Sequence, residues 1–233
     1  MKVIVTFPKI VKFFAKASHF QYDNEKPVNN IVRCYRKEML MALSPEFVDF
    51  YRRWMEKANN HGRDDLSDYF DKFFSLFIAF NRLYAEATFI LARKGEPELA
   101  HRASFPDAAA AKTYVLKYLG SRYFVEKLEQ NREAKVAIET LRGLIGSRFN
   151  IKLNMVTGDR QPEKDEELLR KLKSRGFNQK GEAVLDLLYS VRCNMFHGHK
   201  GFQEVQIDLL KPISCVLKAT NEIVYEKLSS DHS

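Results

Sequence analysis

Glycine and proline are scarce in this chain, 10 and 7 among 233 residues. An all-β domain draws on both for its tight turns, so their scarcity argues against a sandwich or barrel and favours long helices. Cysteine is scarcer still: Cys34, Cys193 and Cys215. An odd number, with no C-x-x-C pair, excludes a disulfide framework and fits a reducing compartment, so a cytoplasmic setting is expected. Long apolar runs are also missing. The most apolar, FFSLFIAF at residues 73–80, is eight residues between Lys72 and Asn81, where a bilayer span needs about 20. The opening MKVIVTFPKIVKFFAKASHF is interrupted by Lys9, Lys12 and Lys16. No small-residue cleavage site follows a clean apolar stretch, so a signal peptide is not expected. With no metal-like His/Cys/Asp cluster and no glycine-rich phosphate loop, no metal or other cofactor is expected.

What the chain does have is apolar and basic. Hydrophobic residues make up 45% and phenylalanine alone numbers 18, a core-forming composition in a chain long enough to bury a core. The net charge is +8, and residues 1–62 carry +5 of it, from 11 Lys and Arg against 6 Asp and Glu. A basic excess attracts polyanions; RNA, DNA and acidic membranes are the usual candidates.

Apolar spacing predicts an all-α fold in two parts: a basic, mostly helical N-terminal extension at residues 1–62 and a helical bundle at 63–233. In the extension, Val3, Val5 and Phe7 alternate like a strand. Ile10, Val11, Phe13, Phe14 and Ala17 repeat like a basic amphipathic helix, docked on the body or lying on a membrane surface. Val28, Ile31, Val32, Tyr35 and Met39 recur at helical spacing. Ser44 and Pro45 then open a clearer helix, striped by Phe47, Phe50, Tyr51, Trp54, Met55 and Ala58. Asp64 or Asp65 is expected to cap the longest helix, which Gly95 and Pro97 end. Its aromatic density predicts the central helix of the bundle. A helix to Gly120 follows, then one from Ser121, a possible cap, to about Gly146. Residues 147–180 read as an insertion: Phe149, Ile151, Leu153 and Met155 alternate, TGDRQP is a turn signal, and EKDEELLRKLKSRG is a short charged helix. GEAVLDLLYSVRCNMFHG is a clean helix with Val184, Leu188, Val191 and Met195 toward the core. A last helical region spans about 202–228, kinked or restarted at Pro212.

The stretch SVRCNMFHGHKGF at residues 190–202 carries an Arg, then a His five positions on. On an ideal helix Asp186, Ser190, Asn194 and His197 form one polar stripe within about 40°, and Arg192 projects about 140° from His197, at the edge of the apolar face. Two readings stand side by side. A His in the last turn complements the helix dipole and an Arg covers apolar surface with its stem. Alternatively, the two are an active site.

Arg192 and His197, in the string VRCNMFHGHK at the end of the penultimate helix, resemble the R-x(4–6)-H pattern of the HEPN superfamily. The string is similar to the R-N-N-L-F-H-G of its prokaryotic Apea-like branch. The resemblance covers about residues 64–229. No other Arg in the chain has a His five to seven residues after it. Cys193 stands directly after the Arg, where many active members carry a polar residue, and Asn194 matches the family string one position further on. His199 stands where some members carry a Tyr.

The resemblance implies a HEPN-like helical bundle and metal-independent RNA cleavage. A ribose 2′-OH attacks the adjacent phosphate, leaving a 2′,3′-cyclic phosphate and a 5′-OH; DNA lacks the 2′-OH and is spared. The residue types suit this. Histidine serves as acid or base near neutrality, and Arg offers a permanent forked donor to the phosphate. Arg192 is assigned to the phosphate, His197 to acid–base work, and Asn194 to orienting the His or binding phosphate. Asp186, Ser190, His199 and Lys200 are weaker RNA-binding candidates. One Arg–His set per chain implies a homodimer with the site in its cleft. The implied role is antiviral defence or a toxin, with RNA as partner and an antitoxin or regulatory protein as a further one. A non-catalytic HEPN module for RNA binding or dimerisation is the alternative.

Overall fold

The computed structural model describes residues 43–99, 104–147, 149–154, 156–196 and 203–231. The readings placed on residues 1–42 therefore lie outside the described residues. Eight helical segments make up most of the rest: α1 (Pro45–Asn59), α2 (Leu66–Arg93), α3 (residues 107–119), α4 (Ser121–Gln130), α5 (Arg132–Leu144), α6 (Pro162–Leu172), α7 (Phe177–Phe196) and α8 (Ile207–Asp231). Among the described residues there is no strand, so this part of the chain is all-α. The alternation at 149–155 yields two isolated bridges, Ile145 with Phe149 and Leu153 with Arg160.

Local chemistry sets the helix ends. Ser44 caps α1, its side chain accepting from the Phe47 N–H at 3.2 Å, with Pro45 in the first turn. Asp65 caps α2 through the Asp68 N–H at 2.8 Å, while Asp64 accepts instead from the Tyr69 hydroxyl at 2.5 Å. Gly120, at φ +78°, separates α3 from α4 and is itself the N-cap of α4. Ser121 is therefore not the cap; its hydroxyl donates to Asn178 Oδ1 at 2.9 Å. The single helix expected from Ser121 to about Gly146 is broken at Asn131, which is extended and caps α5 through the Ala134 N–H at 3.0 Å. Pro212 lies inside α8 and is buried; the helix runs through it.

The centre is α2 against α8, with α1 on α2, α5 on α8, and α7 flanked by α3, α4 and α6. Phe73, Phe77, Phe80, Leu76 and Leu83 of α2 are buried to 2% exposure or less, each worth about 1.5–3 kcal/mol of transfer free energy. Asn221 of α8, wholly buried, donates to the Leu76 carbonyl at 2.9 Å and ties the two central helices together. By length and composition α2 could cross a membrane, although its eight-residue run alone is too short; here more than half of its most apolar window is buried in the bundle. Residues 41–233 cluster as one compact unit. Thus α1, assigned by sequence to the extension, shares this core: Tyr51 stacks on Tyr225 of α8 at 4.1 Å, and Phe47 is buried beneath Arg82.

Within α3, residues Ala110–Tyr114 form a π turn, a widening common near functional sites. In it Lys112 reaches across to α7 while Tyr114 stays buried.

Candidate functional site

Helix α7 carries every described member of the predicted polar stripe, and the stripe faces the segment between α5 and α6. Asn194, 4% exposed, donates from its amide to the Ile151 carbonyl at 2.8 Å. From the other side Asp165 of α6 accepts the N–H groups of Ile151 and Lys152 at 3.1 and 2.9 Å. Ile151 is wholly buried between them. Lys152 then reaches along α7, donating to Asp186 and to Ser190 Oγ, the latter at 2.9 Å. Lys112 completes the cluster, 3.1 Å from the other carboxylate oxygen of Asp186. Burial opposes the charge on Asp186, but the two ammonium groups outweigh it and hold its carboxyl below the usual aspartate range.

Arg192 stands on a different face. Its guanidinium lies 4.6 Å from the Phe196 ring centroid and 5.7 Å from those of Phe77 and Tyr189, a cage that orients a cation. Its nearest carboxylate is Asp107 of α3, at a long 3.9 Å from Nη2. Asp107 also accepts from two tyrosine hydroxyls, that of Tyr84 and that of Tyr189, the second at 3.1 Å. Burial first, and Asp107 second, push both tyrosines well above their ordinary range, so they stay neutral donors. Arg192 Nε is buried with no hydrogen-bond partner among the described residues, while the side chain as a whole is 22% exposed. The arginine is thus fixed by rings, with donor capacity to spare. Cys193 Sγ lies 3.9 Å from its Nη1.

The structure brings Asp186, Ser190 and Asn194 together and sets Arg192 apart from them. His197, His199 and Lys200 lie outside the described residues. The buried amide of Asn194 donates to a backbone carbonyl, which gives that side chain a structural task. Sequence reasoning missed Asp107, Tyr84, Tyr189, Lys112 and Lys152. None lies in the motif; only Tyr189, on the turn before Arg192, had a local signal. No group of three or more His, Cys, Asp or Glu side chains placed to hold a metal ion occurs among the described residues.

Compared with protein-family models, with curated proteins and with solved structures, the chain matches none of them. The reading of its site therefore rests on its own residues.

Proposed function

We propose that this protein is a metal-independent RNA endonuclease of HEPN type, acting as a homodimer, with Arg192 binding the scissile phosphate and His197 moving protons. The observation that carries the reading is the state of Arg192: a guanidinium gripped by three rings at the last turn of a core helix, under-neutralised by a carboxylate 3.9 Å away. A structural arginine is ordinarily paired closely and its donors are used. One held by aromatic faces keeps its fork for an incoming oxyanion. In the sequence His197 directly follows Phe196, the last described residue of that helix, and the string R-x-N-x-F-H-G resembles the family's at that point.

The test is cleavage of mixed RNA by purified protein in EDTA, beside folded His197→Ala and Arg192→Ala variants. The wild type should cut RNA and spare DNA of the same sequence, leaving 2′,3′-cyclic phosphate ends. Each variant should lose at least about 100-fold in rate, the usual contribution of a general acid or base or of an oxyanion donor. Intact RNA with the wild-type dimer, or equal cleavage by wild type and His197→Ala, overturns the assignment. A second reading, a HEPN module that binds RNA without cutting it, is favoured by Cys193 beside the guanidinium, where a thiol replaces a stronger hydrogen-bonding group. It predicts RNA affinity with no cleavage.

A further inference from the structure

Two clefts flank α7 on the side of Lys112. The larger, about 600 Å³, lies between α3, α4, α6 and α7 and is lined by Lys112, Lys117, Lys171, Asn178, Glu182 and Asp186 among others. The second, about 230 Å³, continues past the insertion and reaches Lys152, Lys164, Tyr189 and Cys193. Both are lined by Lys112 and Asp186, whose ion pair forms the sill between them. Together they follow α7 from Asn178 to Cys193, about 22 Å at 1.5 Å per residue, and end beside the ring of Tyr189 that covers Arg192.

The lining suits a polyanion with flat apolar groups. Five lysines stand along it against two carboxylates, Glu182 and Asp186, and Asp186 is already shared by two of the lysines. Half-buried Tyr189 lines the smaller cleft, offering an aromatic face to a base beside the cationic rim, the pattern of single-strand binders. About six phosphates fit the length at a stacked-strand spacing near 3.4 Å.

We infer that this groove is a binding track for single-stranded RNA, holding one strand along α7 as far as Tyr189, whose other neighbour is Arg192. The inference rests on the ribonuclease reading for what happens at the end of the track. Lys117, Lys164 and Lys171 are the rim cations that do not anchor Asp186. Lys117 and Lys171 pair with Glu96 and Glu167 at 2.6 and 3.0 Å near the surface, and Lys164 is exposed and makes no ion pair among the described residues.

The experiment is fluorescence anisotropy with a 2′-O-methyl oligoribonucleotide, which cannot be cut, as a single strand and as a duplex. It compares wild type, a Lys117→Gln/Lys164→Gln/Lys171→Gln variant, a remote Lys57→Gln/Lys135→Gln/Lys211→Gln control of equal charge, and Lys164→Glu alone. The groove variant should bind the single strand at least tenfold more weakly. Its slope of log affinity against log salt should fall by about 2, near 0.7 per lost contact. The control should change less than threefold, Lys164→Glu alone should weaken binding, and the duplex should bind more weakly than the single strand in the wild type. No single-strand binding by the wild type, unaltered binding by both groove variants, equal loss in the control, or a preference for duplex overturns the track. The two proposals separate cleanly. Groove-dependent binding with no cleavage of ordinary RNA sinks the nuclease and keeps the track; His197-dependent cleavage untouched by the groove variant does the reverse.

Discussion

Arg192 and Asn194 are two residues apart and live in different surroundings. At about 100° per residue they diverge by about 160°, which sends the guanidinium into the rings of Phe77, Tyr189 and Phe196 and the amide into the packed seam with Ile151. The sequence showed this divergence as an angle. It could not show the partner of Asn194, because Ile151 is 43 residues away and pairs through a backbone carbonyl that carries no side-chain signature. That buried bond makes a prediction opposite in kind to one for a catalytic residue. Asn194→Ala leaves the Ile151 carbonyl unpaired and should lower unfolding free energy by about 1–3 kcal/mol, read from denaturant melts. Cleavage per folded molecule should stay near that of the wild type. Unchanged stability with lost cleavage would return Asn194 to the chemistry.

At the scale of elements, the segment read as an insertion is built into the body, with Ile151, Leu168 and Leu172 buried in the shared core. Its clasp on α7 combines the Asn194 bond to Ile151 with an ion pair, Lys152 on Asp186, with Lys112 beside it. Asp186→Asn keeps the shape and removes the charge, so trypsin should cut after Lys152 faster in the variant than in the wild type; equal rates would show that buried Ile151 and its hydrogen bonds to Asn194 and Asp165 hold the segment without the ion pair. The pH dependence follows from the lowered Asp186 carboxyl. Its contribution is full above the ordinary aspartate value near 3.9 and is lost as pH falls through the lower folded value, when the carboxylate is protonated. The stability difference between wild type and Asp186→Asn should therefore be flat at neutral pH and shrink only in strong acid. Helix ends with a capping side chain or a glycine were legible in the sequence, at Ser44, Asp65, Gly95 and Gly120. The break at Asn131 was less so, because apolar spacing continues through it into α5. The π turn in α3 left no trace, since its alanines and lysine suit an α-helix equally well. The place of α1 in the core was hidden by its lysines and arginines, which lie on its outer face and made it resemble the basic extension before it.

For the whole molecule, the composition fixed the class: few turn residues and many phenylalanines give helices packed around an aromatic centre. It left the assembly open, and chemistry bears on that. Transferring a proton from the 2′-OH and another to the leaving oxygen asks for a base and an acid at one phosphate. The chain has a single Arg–His pair at this spacing. Two chains related by a twofold axis bring two pairs to one cleft, so the nuclease reading predicts a homodimer whose site is incomplete in either half. Sedimentation should give about twice the mass of the 27.2 kDa chain, and cleavage per chain should fall on dilution through the dimer's dissociation range. Mixing an excess of catalytically dead His197→Ala chains with wild type should then depress the rate below the wild-type share alone, because most wild-type chains would sit in mixed dimers with one functional histidine. A strictly proportional rate, or full activity from a monomer, would place all the proton transfers within one chain and require a second acid or base from the residues around Arg192. Tyr84 and Tyr189 are too strongly held in the protonated state to supply the base at neutral pH.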